Sequence, residues 1–187
     1  QAHVLDSWKA GAPNIDLLCP DIHLPDCVGI SAMFTRNNNT LFVPESSAGE
    51  HGAGSAFYVI GAQNAIGYSP FGIERIIANN EKDPITLAYK ILASLTPVIM
   101  EAQSNGTISS VLLNREGNQS VEVINGNYKV LVELVKNRRS TSIPEQGYGI
   151  IISTSPDEYI VYGSNIQVSF SPNTPGPAIA AIAQLDE

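Results

Sequence analysis

The stretch "LFVPESSAGE", residues 41–50, runs an apolar segment with a proline straight into an acid, Glu45, and then into small residues. An acid directly after a buried strand points into a pocket mouth if the sheet belongs to a barrel. Otherwise it is a solvated strand-end carboxylate, and the spacing leaves both readings open. Two further acids lie nearby, Glu50 on the glycine-rich stretch "GEHGAG" and Glu74 after "AIGYSPFGI". Both read most simply as solvated or cap-forming residues. His23 precedes a loop, where it is either a pocket donor whose charge varies with pH or a partly buried polar residue. His3, His23 and His51 are too scattered for a zinc spacing such as His-x-x-x-His, so no metal and no other cofactor is expected. No Gly-x-Ser-x-Gly elbow occurs, which leaves acyl transfer unsupported. "GEHGAG" lacks the lysine of a phosphate loop and reads as a mobile loop. Among the aromatics, Tyr68 and Phe71 fall at a strand end where they can line a pocket, while Trp8 and Tyr58 read as core.

Composition narrows the partners. Ten Lys and Arg against a net charge of -8 leave no basic stripe, so a phosphate backbone is repelled and nucleic acid is not expected. No apolar run approaches the roughly 20 residues that span a bilayer, and no membrane partner is expected. Apolar residues at 43% suffice for a packed core. Asn38, Asn105 and Asn118 each head an Asn-x-Ser/Thr triplet, a glycan acceptor if the chain is secreted and a chance match otherwise. Cys19 and Cys27 permit one short-loop disulfide, or are two separate buried thiols.

The elements that must position these residues change character along the chain. "HVLDSWKAGAP" predicts a short helix with Val4, Leu5 and Trp8 on one face, stopped by Gly11 and Pro13. "IDLLCPDI", "TLFVPE" and "AIGYSPFGIE" predict buried strands. Between them, "LPDCVGISAMFTR" and "GAGSAFYVIGAQN" predict helices, the second with Phe57, Tyr58 and Ile60 as its apolar face. "DPITLAYKILASLTPVIMEAQ" predicts a long helix capped by Asp83, opened by Pro84, with Leu87, Ile91, Leu92 and Leu95 apolar and a kink or division at Pro97. Beyond Asn105 the segments "GTISSVLLNR", "QSVEVING", "YKVLVELVK", "GYGIIISTSPDEYIVYG" and "NIQVSFSP" are β-branched and split by turn residues, the pattern of a β-sandwich. The expected class is therefore α/β followed by all-β, with domains at 1–104 and 105–187. Three β/α units cannot close a barrel of eight strands and about 250 residues, so they are the closing part of one or a small open layer.

The order of these motifs resembles the glycoside hydrolase family thirty-five β-galactosidases of the microbial type. The resemblance is carried by "IDLLCPDIHLPD", "LFVPESSAG", "AFYVIGAQNAIGYSPFGIE", "ILASLTPVIMEAQ" and "GYGIIISTSPDEYIVYG". "FSPNTPGPAIAAIA" looks like part of the family's C-terminal β-domain. The resemblance implies a (β/α)8-like barrel, of which residues 1–104 hold strands six to eight and the final helix, followed by a β-sandwich at 105–187. It implies hydrolysis of terminal β-galactosides with retention, and it matches Glu45 to the nucleophile that closes the seventh strand. Such a carboxylate attacks the anomeric carbon, and a second carboxyl about 5–5.5 Å away serves as acid and base. His23, Tyr68 and Phe71 would be pocket residues.

Three departures accompany the likeness. His23 stands where the family generally has a tyrosine, and Ser46 and Ser47 stand where it has an arginine. Nothing corresponds to the acid/base of the fourth strand, and the family assigns neither Glu50 nor Glu74 that role. Two forecasts follow. As part of a larger or cleaved enzyme, the chain acts on a β-galactoside or other glycan once a missing N-terminal barrel portion, or a second copy, covers its open edge. As a shortened secreted relative, it binds glycans or proteins without catalysis. The resemblance implies an extracellular location in either case.

Overall fold

The computed structural model describes residues 2–36, 38–72, 74, 82–136, 143–176 and 181–186. The chain divides into two compact units, residues 1–100 and 101–187. Mixed α/β structure comes first and strands follow.

The first unit is built on three short parallel strands, β1 (Asp21–Ile22), β2 (Phe42–Ser46) and β3 (Gly67–Pro70), in sheet order β1-β2-β3. Helices α2 (Cys27–Phe34) and α3 (Gly49–Ala62) connect them in turn. Crossovers between parallel strands are right-handed as a rule, which places successive helices on one face of a sheet ordered in this way. Ile22 at 2% exposure and Val43 at 0% are the apolar side chains that β1 and β2 bury, and β2 buries Ser46 as well. Asp26 caps α2 by accepting from the Gly29 amide at 2.8 Å.

Three details depart from the sequence reading. The apolar run before Pro20 is not a strand, since β1 is only two residues long. The buried Asn39 amide holds that run instead: its Oδ1 accepts from the Leu18 amide and its Nδ2 donates to the Leu18 carbonyl, both at 2.9 Å. The same Nδ2 donates to Phe34 O at 2.7 Å, so one side chain does the work of a ladder rung. Second, "GEHGAG" is no mobile loop but the opening of α3. Gly52 explains why: a Cβ there would overlap the Ser47 carbonyl, so its absence lets the helix start directly against the chain leaving β2. Third, Trp8 is 55% exposed; α1 (Leu5–Gly11) buries Leu5, and the indole at its middle lies outside the core. Tyr58 is half-buried.

Helix α4 (Pro84–Asn105) begins as Pro84 and Asp83 foretell, with Asp83 Oδ1 accepting from the Thr86 amide at 3.0 Å. Its buried positions are Ile85, Ala88, Leu92, Ile99 and Ala102; Leu87 is exposed and Ile91 and Leu95 are only half-buried. Pro97 lies inside the helix without dividing it. Before it, the Thr96 hydroxyl donates to Leu92 O and the Ser94 hydroxyl to Ile91 O. By length and composition α4 is also long and apolar enough to cross a membrane, contrary to the expectation that no segment is. Lys90 and Glu101 interrupt its apolar residues, so they form no unbroken run in the sequence.

The second unit holds two three-stranded antiparallel sheets. One is ordered β4 (Ile108–Asn114), β7 (Gln146–Ser155), β8 (Glu158–Ser164); the other is β5 (Ser120–Asn125), β6 (Tyr128–Leu134), β9 (Ile166–Pro172). Val111, Leu113 and Ile151 from the first sheet and Val130, Val132 and Leu134 from the second form one buried cluster. Asn165, in the left-handed region at φ 57°, is the single residue between β8 and β9, and there the chain passes from one sheet to the other. Gly147, Gly149 and Gly163 leave the space that the Ile166 side chain fills beside this turn. "FSPNTPGPAIAAIA" crosses residues 177–180, which lie outside the described residues.

Candidate functional site

Each strand of the parallel sheet delivers one side chain at its carboxyl end. His23 follows β1 directly, Glu45 is the penultimate residue of β2, and Phe71 follows β3. Glu45 Oε1 lies 2.7 Å from His23 Nε2, and the Phe71 ring meets the imidazole edge-on, with centroids 6.1 Å apart at 81°. Both partners of the polar pair are partly open to solvent, at 46% for His23 and 41% for Glu45. A pair so exposed stabilises a fold by about 0.2–1 kcal/mol. Its consequence is therefore orientation of the carboxylate rather than stability.

The chain aims Glu45 by a bulge. Val43 pairs with Tyr68 and Ser46 with Pro70, so β2 takes three steps where β3 takes two. The extra residue keeps both Val43 and Ser46 buried and leaves Pro44 and Glu45 together on the accessible side. Pro44 has no N–H, so the interrupted ladder orphans no donor there. Strand β1 then sets the neighbour: Asp21 pairs with Glu45 and Ile22 with Ser46.

Hydrogen bonds clamp the backbone around Glu45 from both sides. The Ser46 hydroxyl, 1% exposed as a residue, donates to Ile22 O at 2.6 Å. The Phe71 amide donates to Ser46 O at 2.7 Å. Tyr68 donates its hydroxyl to Ser47 O at 2.9 Å, and Tyr89 donates to Tyr68 O at 2.6 Å. Burial pushes the Tyr68 phenol far above its ordinary range, partly offset by hydrogen bonding to Ser46. Tyr68 is thus a buried support for the turn after Glu45, at 6% exposure, whereas Phe71 at 57% is open. Of the four site residues expected from sequence, the structure brings Glu45, His23 and Phe71 together and puts Tyr68 beneath them. Ser46 and Tyr89 were missed. The signal for the bulge was Pro44 inside a strand pattern, which marks an edge or a bulge.

Glu50 lies in the first turn of α3 and Glu74 beyond β3, both exposed. His3 sits in a short 3-10 turn, and His51 is half-buried in α3. Among the described residues no group of three His, Cys, Asp or Glu side chains could hold a metal ion. Cys19 and Cys27 are free thiols, so of the two readings the separate thiols are the one observed. Cys27 is buried at the start of α2, where burial raises its pKa against a lowering hydrogen bond with Ser55. Cys19 is half-buried, its pKa raised by burial and by Asp21. Asn38, Asn105 and Asn118 are all exposed, as a glycan acceptor must be.

A family model described as Domain of unknown function (DUF5597) matches residues 85–187. That stretch takes in nearly all of α4 and the whole second unit, but none of His23, Glu45 or Phe71. No curated protein matches the chain.

Proposed function

The chain belongs to the DUF5597 family; from the geometry of residues outside that match, we propose that it is part of a retaining β-galactosidase-like glycoside hydrolase with Glu45 as the nucleophile. On this reading residues 1–104 are the last three β/α units of a (β/α)8-like barrel and residues 105–187 a β-sandwich. The chain works outside the cell, and a missing barrel portion or a second copy covers the open edge of the sheet. The observation that carries the reading is the bulge, which brings a carboxylate to the carboxyl end of a parallel sheet with one oxygen held by His23. Sites on α/β sheets gather at that end. The open ring of Phe71 beside the pair supplies the apolar face on which a sugar stacks.

The chemistry asks little of Glu45 beyond aim. Its carboxylate attacks the anomeric carbon, the bond to the leaving oxygen breaks with its electron pair, and a glycosyl ester remains for water to hydrolyse. Protonation of the leaving group belongs to a second carboxyl, and the reading takes that group from the missing portion. A leaving group that needs no proton therefore isolates the role of Glu45. The 187-residue chain, incubated with 2,4-dinitrophenyl 2-deoxy-2-fluoro-β-galactoside, should gain one fluorosugar by intact mass. The adduct should map to Glu45 and be absent from Glu45→Gln. An unlabelled wild-type chain, or a label elsewhere, would refute the assignment. The alternative is an inactive glycan-binding relative, favoured by the exposed Phe71; it predicts saturable galactoside binding with no adduct.

A further inference from the structure

We propose that Asn118 carries an N-linked glycan, and that this sugar stands at the head of the unpaired edge strand β5 and keeps a further strand from adding there. The proposal rests on the extracellular location proposed for the chain, but not on the hydrolase chemistry.

The fold separates the three Asn-x-Ser/Thr triplets. In residues 38–40 the middle position is Asn39, 3% exposed, whose side chain is bonded to Leu18 and Phe34. A sugar on Asn38 would sit beside a side chain that must enter the core. In residues 105–107, Asn105 ends α4 and Gly106 turns the chain at φ 68°. The Thr107 amide then donates to Ala102 O, and the Thr107 carbonyl accepts from the Ser153 amide, both at 2.9 Å. Thr107 is half-buried in that closure, and its hydroxyl is the part of the triplet that a transferase must recognise. Residues 118–120 alone of the three have every position exposed. They leave a turn between β4 and β5 that is held by its own bonds: Asn114 Oδ1 accepts from the Glu116 amide at 2.8 Å, and Gln119 Nε2 donates to Arg115 O at 2.7 Å. Exposed loop tips of this kind tolerate bulky additions. Transfer joins Asn118 Nδ2 to the anomeric carbon of an oligosaccharide carried on a lipid pyrophosphate. The bond from that carbon to the phosphate oxygen breaks with its electron pair on the departing pyrophosphate, and Nδ2 gives up one proton.

The strand that follows has something to protect. Within its sheet β5 pairs with β6 alone. Val121 and Val123 pack on the core, so Glu122 and Ile124 face outward, and Ile124 is 62% exposed. Ile124 opposes Lys129 and Glu122 opposes Leu131, which makes the open Ile124 and Leu131 diagonal neighbours. An unpaired edge rich in β-branched residues is a template for another strand. One deterrent is charge, with Lys129 Nζ 3.7 Å from Glu122 Oε1. The glycan is a second: it is bulky and solubilising, and a strand laid along β5 would run into it.

The full chain, given a cleavable secretion signal and made in a eukaryotic secretory host, tests this. Enzymatic release of N-glycans in heavy-oxygen water leaves a labelled aspartate wherever a glycan stood. Peptide mapping should find that label at Asn118 above Asn38 and Asn105. Asn118→Gln and Ser120→Ala should each lose the label and the matching glycan mass, while Ser120→Thr keeps both. An unlabelled Asn118, or equal or higher labelling at either other triplet, overturns the assignment. A chain retained inside the cell refutes the extracellular reading instead, and the retained material is mapped in the same way. The second readout is sedimentation over a concentration series. Asn118→Gln should associate further than the glycosylated chain, and adding Ile124→Lys should reverse the difference. Association that is equal with and without the glycan overturns its role at the edge.

Discussion

Tyr68→Phe separates a buried hydroxyl from the ring that carries it. The substitution keeps the packed aromatic and removes the donor to Ser47 O. At neutral pH the loss should cost about 1–2 kcal/mol, the range for removing one partner of a buried hydrogen bond. The pH dependence gives the sharper test. Burial raises the folded-state pKa of Tyr68 above that of the unfolded chain, so folding favours the neutral phenol. Its contribution is complete below the unfolded value of about 10 and declines as pH climbs from there toward the raised folded value. Over that interval the unfolded state has released a proton that the folded state keeps. The wild type should therefore lose about 1.4 kcal/mol per pH unit from this residue, and Tyr68→Phe should lose none of it. The stability gap between the two proteins should be constant from pH 7 to about 9.5 and close near pH 11. Urea titration followed by the fluorescence of Trp8, the only tryptophan and part of the same unit, provides the measurement. A gap that stays constant through pH 11 would refute the argument, because it would mean that the phenol titrates alike in both states.

Two further outcomes follow from packing in the first unit. Gly52→Ala should destabilise it by about 1–3 kcal/mol, since the new methyl meets the Ser47 carbonyl and α3 must back away; an unchanged urea midpoint would show that the start of the helix has slack. Asn39→Ala should cost about 2–4 kcal/mol, for three lost hydrogen bonds to Leu18 and Phe34, and should speed hydrogen exchange at the Leu18 amide.

Much of the fold could be read from local signals. Pro84 and Asp83 mark the start of α4 because their chemistry acts within one turn. The segments of the second unit are strands as their β-branched alternation predicts. What escaped the sequence depends on partners distant along the chain. Asn39 looks like one of several turn asparagines, and only the approach of Leu18, 21 residues away, makes it a structural rung. The glycines of "GEHGAG" suggest a loop until Ser47 and α3 are seen to require closeness. The inward face of α4 is rotated from the one its large side chains suggest, with Ala88 buried and Leu87 open. At the site, Glu45 and His23 were both legible as candidates, but their contact depends on a two-residue pairing and a bulge. Tyr68 and Phe71 are close in sequence and differ by tenfold in exposure, because strand alternation sends one under the sheet while the other has left it.

The brevity of β1 carries a last implication. Its final residue, Ile22, is committed to the interior, and the very next one, His23, is half exposed and meets Glu45 and Phe71 at the strand ends. The packed side chain and the exposed polar one thus occupy adjacent positions of the chain. Residue 23 can therefore change without disturbing the buried side chain that keeps this edge of the sheet in place.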